Sequence, residues 1–124
     1  MSLLHIYEAL CDETRLRVVH LLSHGPLCVC HIQSVTGASQ VTVSKHLSYL
    51  KKRGLVVSRR HGQWMIYSLP GNPVPELTAQ LKLIAMLPST SPVLKKDLVA
   101  LKKLEPDCCW IDDVVNPPKD SGRK

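Results

Sequence analysis

Apolar residues recur at helical spacing through most of the chain. Leu3, Leu4, Tyr7 and Leu10 mark a short amphipathic helix, and Asp12 is placed to cap a second one reaching Leu22. Leu16, Val19 and Leu22 form the stripe of that second helix, which Gly25-Pro26 ends. A third helix runs from about Val29 to Thr36 and stops at Gly37. Ser39 then caps a fourth, with Val43, Leu47 and Leu50 on one face and Gly54 at its end. The period changes after that point. Leu55 to Arg60 and Gln63 to Leu69 are β-prone runs joined at His61-Gly62, which predicts a hairpin. Pro70 to Pro75 reads as a linker. Leu77, Leu81, Ile84 and Leu87 mark a fifth helix, and Ser91-Pro92 opens a sixth carrying Leu94, Leu98 and Leu101.

This order predicts a mainly α fold with a small β-hairpin, a winged helix-turn-helix, over residues 1–105. A cysteine-containing, partly disordered C-terminal tail is expected over 106–124, rich in Pro, Lys and Asp from Asn116 onward. No internal repeat is visible.

Composition narrows the function. The chain has 124 residues, 44% of them hydrophobic, so one domain with a real core is expected, built without any Phe. Lys and Arg outnumber Asp and Glu by 16 to 10, which favours an anionic partner. No basic run flanks an apolar anchor, so nucleic acid comes before a membrane surface. MSLLHIYEALCDETR carries no leader pattern and nothing approaches transmembrane length. A cytoplasmic location is therefore expected, where the five cysteines stay reduced. No Gly-rich phosphate loop, nucleophile elbow or pair of carboxylates suggests an enzyme or a small organic substrate.

Two helices followed at once by a basic hairpin fit binding to double-stranded DNA. On the fourth helix Gln40, Thr42, Ser44, Lys45 and Ser48 lie off the apolar stripe and offer short donors and acceptors to base edges. Lys51, Lys52 and Arg53 are candidate phosphate contacts. Arg59, Arg60 and His61 sit at the wing tip, placed for the neighbouring backbone or minor groove.

The stretch PLCVCHI adds a separate chemistry, with Cys28 and Cys30 one residue apart. In a regular helix two such side chains point to nearly opposite sides, and there is little room here for a paired strand. At the loose first turn of the third helix they could converge, and thiols at a helix N-terminus tend toward the thiolate that a soft ion requires. Chelation would hold that turn non-helical or unwind it. Cys11 reads instead as packing near Leu10 and Leu16.

LCDETRLRVVHLL, LCVCHI, SQVTVSKHLSYLKKRGLV and RHGQWMIYSL together resemble the ArsR/SmtB family of metal-sensing winged-helix repressors, over residues 3 to 87. The resemblance implies a homodimer that occupies an operator and leaves it when a metal or metalloid ion binds. LCVC resembles the thiolate box of members that sense arsenite, antimonite, cadmium or lead. Family base-reading positions map onto Ser39, Gln40, Thr42, Ser44 and Lys45. His46 also matches a family position, either as a reader or as a residue that holds the helix in place.

One departure matters. A third box cysteine of some members corresponds to Gln33 here. As(III) or Sb(III), the expected inducer, uses three thiolates, so Cys108 or Cys109, from the same or the partner subunit, is expected to supply the third. His31 beside Cys30 leaves a mixed Cys/His site for Cd(II), Pb(II) or Zn(II) as the alternative. The zinc site of the fifth helix is not expected, since Val74 to Leu87 offers only Glu76. His5, His20, His24 and His61 have no metal-like spacing and read as surface or packing residues. A thiol redox switch pairing Cys28 with Cys30, or Cys108 with Cys109, is a further alternative, set back by the strain of such closely spaced disulfides.

Overall fold

The computed structural model describes residues 2–104. In chain order the elements are α1 (Leu3–Leu10), α2 (Glu13–Leu22), β1 (Leu27–Cys28), α3 (Val29–Thr36), α4 (Gln40–Lys52), β2 (Val57–His61), β3 (Trp64–Ser68), α5 (Pro75–Met86), a 3-10 turn (Leu87–Ser89) and α6 (Pro92–Lys102). This is the winged helix-turn-helix order.

Capping chemistry sets the helix starts. The backbone N–H of Arg15 donates to Asp12 Oδ2 at 3.0 Å, that of Thr42 to Ser39 Oγ at 3.1 Å, and that of Leu94 to Ser91 Oγ at 3.3 Å. The end of α4 is closed just as locally. Gly54 adopts φ 81°, which lets Leu55 N–H reach back to Leu50 O at 3.0 Å and Gly54 N–H to Lys51 O at 3.0 Å. That reversal delivers the chain directly into the wing.

The core lies between α1, α2, α4 and α5, with Ile6, Val18, Leu21, Ile32, Leu47, Leu50, Leu55 and Leu77 fully enclosed. The stripes expected on α2, α4 and α5 face it. On α1 the inward residues are Ile6 and Ala9, whereas Leu3, Leu4 and Tyr7 are 40%, 76% and 48% exposed. Both sets have helical spacing, so periodicity alone could not choose between them. Of the expected apolar face of α1, Leu3, Leu4 and Tyr7 point outward while Leu10 packs against the core.

The sheet also differs from the expectation of a bare hairpin. It has three strands in the order β1-β3-β2, both pairs antiparallel. Leu27 pairs with Tyr67 and Cys28 with Ile66, so a two-residue strand does fit between Pro26 and α3. In the hairpin His61 pairs with Trp64, leaving Gly62 and Gln63 as the turn, with Gly62 at φ 63°.

α6 is fastened by a buried ion pair. Arg17 Nε donates to Asp97 Oδ2 at 2.8 Å and Arg17 Nη2 to Asp97 Oδ1 at 2.9 Å. The same Nη2 lies 3.4 Å from Thr36 O, so α2, the end of α3 and α6 meet at one guanidinium. No helix among the described residues is long and apolar enough to cross a membrane.

Candidate metal centre and nucleic-acid interface

Cys28 has extended backbone, φ −95° and ψ 170°, and is the N-cap of α3. Cys30 is the second residue of that helix. Because the first thiol stands outside the helix and the second within it, the i, i+2 spacing brings them together, with Sγ atoms 2.8 Å apart. No unwinding is needed for convergence, which corrects the expectation drawn from a regular helix. His31 joins them. Its Nδ1 lies 3.4 Å from Cys28 Sγ and accepts from Cys28 N–H at 3.4 Å. The three ligand atoms lie within 4.8 Å of one another, the one such group of three among the described residues.

Burial gives the site its character. Cys28 and His31 are buried and Cys30 is half-buried, so the pair of thiols is reachable from one side. His31 Nε2 is buried with no partner among the described residues. Cys28 and Ile66 form a small apolar cluster, against which Cys30 and Trp64 pack. Cys28 is thus at once a thiol, a helix cap and a residue of the strand paired with the wing. A soft ion fits this donor set.

Cys11 is exposed at the C-cap of α1, which corrects its expected role in packing, and it lies outside the thiol group. Cys108 and Cys109 lie outside the described residues.

On α4, Gln40, Val41, Thr42, Lys45 and Ser48 are exposed, and Val43, Leu47 and Leu50 hold the opposite face in the core. Ser44 is half-buried. Ser39 Oγ accepts from Thr42 N–H and donates to Thr42 Oγ1 at 3.0 Å, so the hydroxyls at the head of the helix are already ordered. Val41, 69% exposed in the first turn, carries no signal in the pattern of polar side chains that marks its neighbours. An exposed methyl pair between Gln40 and Thr42 is suited to a thymine methyl group.

His46 points the other way. Its Nε2 lies 3.8 Å from Asp12 Oδ2, linking α4 to the N-cap of α2. The Arg15 N–H bond holds the Asp12 carboxyl below its usual range, against a smaller opposing effect of burial, with His46 and the Arg15 charge adding to the lowering. The guanidiniums of Arg53 and Arg15 each lie over the Tyr49 ring, 3.9 and 4.1 Å from its centre. Arg53 is thereby aimed without losing its charge to a carboxylate. Ser44, Lys45, Ser48, Tyr49, Lys52 and Arg53 line a shallow open concavity along α4. Arg59, Arg60 and His61 are exposed on β2, paired with Ile66, Met65 and Trp64.

The fold and this arrangement define a winged helix-turn-helix regulator. The family model described as "Bacterial regulatory protein, arsR family" matches residues 12–58, from the cap of α2 into β2. The chain is 42% identical over 67 residues to the arsenical resistance operon repressor of Escherichia coli K12, covering 53% of this chain and 57% of that protein. It is 36% identical over 78 residues to the CadC homolog of Staphylococcus aureus, a cadmium resistance regulatory protein, covering 62% and 64%. Among solved structures, HlyU from Vibrio cholerae N16961 superposes with a TM-score of 0.61 at 30% identity, covering 68% of this chain and 88% of that one. The homodimeric winged helix-turn-helix DNA-binding domain of Mb0332 from Mycobacterium bovis matches at TM-score 0.56 and 29% identity, covering 82% and 80%. The chain belongs to the arsR family of bacterial regulatory proteins, a family of DNA-binding proteins rather than enzymes. It spans just over half the length of the first curated relatives it matches.

Proposed function

We propose that this protein is a homodimeric repressor that occupies double-stranded operator DNA and leaves it when As(III) or Sb(III) is captured by Cys28 and Cys30. The observation that carries the reading is the convergence of the two thiols at the β1–α3 junction, Sγ to Sγ 2.8 Å, directly against the strand that forms the wing. Gln40, Thr42, Ser44 and Lys45 read base edges, with Ser39 ordering the head of the helix. Arg59, Arg60 and His61 meet the backbone beside the site. His46 positions α4 through Asp12.

Coupling follows from the bonding of Cys28. A thiol drawn toward an ion pulls on the Cys28–Ile66 pair and on the first turn of α3, which packs against α4. Near-complete release requires the ion to favour the low-affinity state by about 5 kcal/mol, within reach of multidentate thiolate binding. The third thiolate of an As(III) or Sb(III) site is assigned to Cys108 or Cys109. Dimerisation is assigned to α1 and α5, which touch and leave Leu3, Leu4, Tyr7, Leu83 and Met86 outward. Gln80 Nε2 donates to Tyr7 Oη at 3.3 Å across that face.

A second reading, induction by Cd(II), Pb(II) or Zn(II), is favoured by His31, whose Nδ1 stands 3.4 Å from Cys28 Sγ. Coordination measured by X-ray absorption separates the two. An all-sulfur shell that persists in His31→Ala supports the first reading. A shell that loses a nitrogen in that variant supports the second.

A further inference from the structure

His20, in the last turn of α2, and His24, two residues past its end, stand four residues apart, and their Nε2 atoms lie 3.4 Å from each other. The rings meet edge to face, 87° between planes, with centroids 5.0 Å apart. At that separation of the nitrogens one ring can donate weakly to the other in the metal-free protein. The same separation matches what two imidazoles need to share one tetrahedral ion. With Zn–N near 2.0–2.1 Å, a tetrahedral angle places the two nitrogens about 3.3–3.4 Å apart.

We propose that His20 and His24 form a second metal site, distinct from the thiols, that takes a borderline divalent cation such as Zn(II) or Ni(II). His20 lies in the last turn of α2 and His24 in the turn just beyond its C-cap Ser23, so the chain reversal, not a shared helix face, brings the two rings together. His20 is fully buried and fixed by the core, while His24 is exposed, so one ligand is preorganised and the other is open to solvent. Water completes the shell.

The charged surroundings are mixed. Asp97 on α6 favours positive charge at His20, and Lys102 opposes it at His24. Burial at His20, and partial desolvation with the Lys102 charge at His24, lower both imidazoles from their usual range and so favour the neutral form that binds metal. On binding, the ring that had donated between the two Nε2 atoms carries its proton on Nδ1 instead. His20 Nδ1 is buried and has no partner among the described residues, so the bound form lacks an outer acceptor there. Such a missing partner weakens metal affinity about 10- to 100-fold, which makes this the weaker and more exchangeable of the two sites. The site lies just ahead of the Gly25-Pro26 turn that leads to β1 and Cys28, and an ion there fixes the end of α2.

The test uses the full chain carrying Cys28→Ser and Cys30→Ser, with Zn(II) alone as the probe. Long-range proton–nitrogen spectra of the imidazoles are followed during titration, with thermal unfolding in parallel. The expected result is a saturable, joint shift of the His20 and His24 Nε2 resonances and a rise in midpoint with Zn(II). Adding His24→Ala, at an exposed position, should remove the His20 shift and weaken binding at this site at least tenfold. A His20 resonance unmoved by excess Zn(II), or a shift that survives His24→Ala, overturns the proposal. Neither arm uses DNA or the thiol pair, so failure here leaves the repressor reading standing, and the reverse holds too.

Discussion

Arg17→Ala and Asp97→Ala break the same ion pair and should not cost the same. Asp97 is buried, its side chain 1% exposed, while Arg17 is 21% exposed. Removing Arg17 strands a carboxylate in the core with no cation. Loss of one partner of a buried pair costs about 3–5 kcal/mol, and the partial exposure of this one places it near 3. Removing Asp97 leaves a guanidinium with a route to water and its contact to Thr36 O at 3.4 Å. About 1–2 kcal/mol is expected for that change. Urea unfolding followed by far-UV circular dichroism reads the difference. With m of about 1–3 kcal/mol/M, Arg17→Ala should lower the midpoint by roughly 1–3 M, and Asp97→Ala, at the same m, by about a third to two thirds as much. Replacing both, Arg17→Met with Asp97→Leu, should recover most of the loss, since apolar substitutes of similar volume are commonly neutral or better. An equal or larger cost for Asp97→Ala, or a cost below about 1 kcal/mol for Arg17→Ala, would refute the argument that burial decides the asymmetry.

Four further outcomes are expected. Gln40→Ala and Lys45→Ala should each weaken specific duplex binding by about 1–3 kcal/mol, whereas Arg60→Ala should lower all duplex affinities alike and reduce the salt slope by about 1, both read from binding isotherms at several salt concentrations. Asp12→Ala should cost about 1 kcal/mol near neutral pH through the lost cap. The folded Asp12 carboxyl is lowered from 3.8, so that contribution is present above this pH and is lost as pH falls through the folded value; a deficit unchanged in acid would contradict it. Burial lowers His20 and His24 from 6.5, so below that pH the unfolded chain takes protons the folded protein refuses; stability should fall with acidification, and His24→Ala should flatten that fall in pH-dependent urea unfolding. Trp64 packs against the Cys28–Ile66 cluster, as Cys30 does, so its emission, isolated in a Trp110→Phe chain, should change when a soft ion binds and stay constant in Cys28→Ser.

Much of the fold was legible because its punctuation is local. Asp12, Ser39 and Ser91-Pro92 act at the starts the sequence implied, and Gly37 and Gly54 at the ends. Elements without a local signal were not legible. A two-residue strand has no periodicity, so β1 emerged only from its pairing with Tyr67 and Ile66. The Arg17–Asp97 pair joins residues 80 positions apart. For α1, two apolar sets shared one period, and only packing separated Ile6 and Ala9 from the outward Leu3, Leu4 and Tyr7.

The metal centre was half legible. The CxC spacing named the thiols, but whether they converge depended on Cys28 being a strand residue and helix cap rather than part of a helical turn. His31 was visible as a neighbour, and its second task, accepting from Cys28 N–H, was not. The i, i+4 spacing of His20 and His24 stood in the sequence all along, yet only the 3.4 Å approach of the two rings gives it chemical meaning.

The central claim is that Cys28 and Cys30 sense an ion while α4 and the wing hold DNA. Its most direct measurement is a titration of operator-bound protein with arsenite, antimonite, cadmium, lead and zinc in separate runs, on wild type, Cys28→Ser and Cys30→Ser. The account predicts equal operator affinity for all three proteins without ion, release of wild type by arsenite or antimonite, and no release of either variant. Loss of operator binding in both variants before any ion is added would contradict it, as would release that proceeds unchanged without the two thiols.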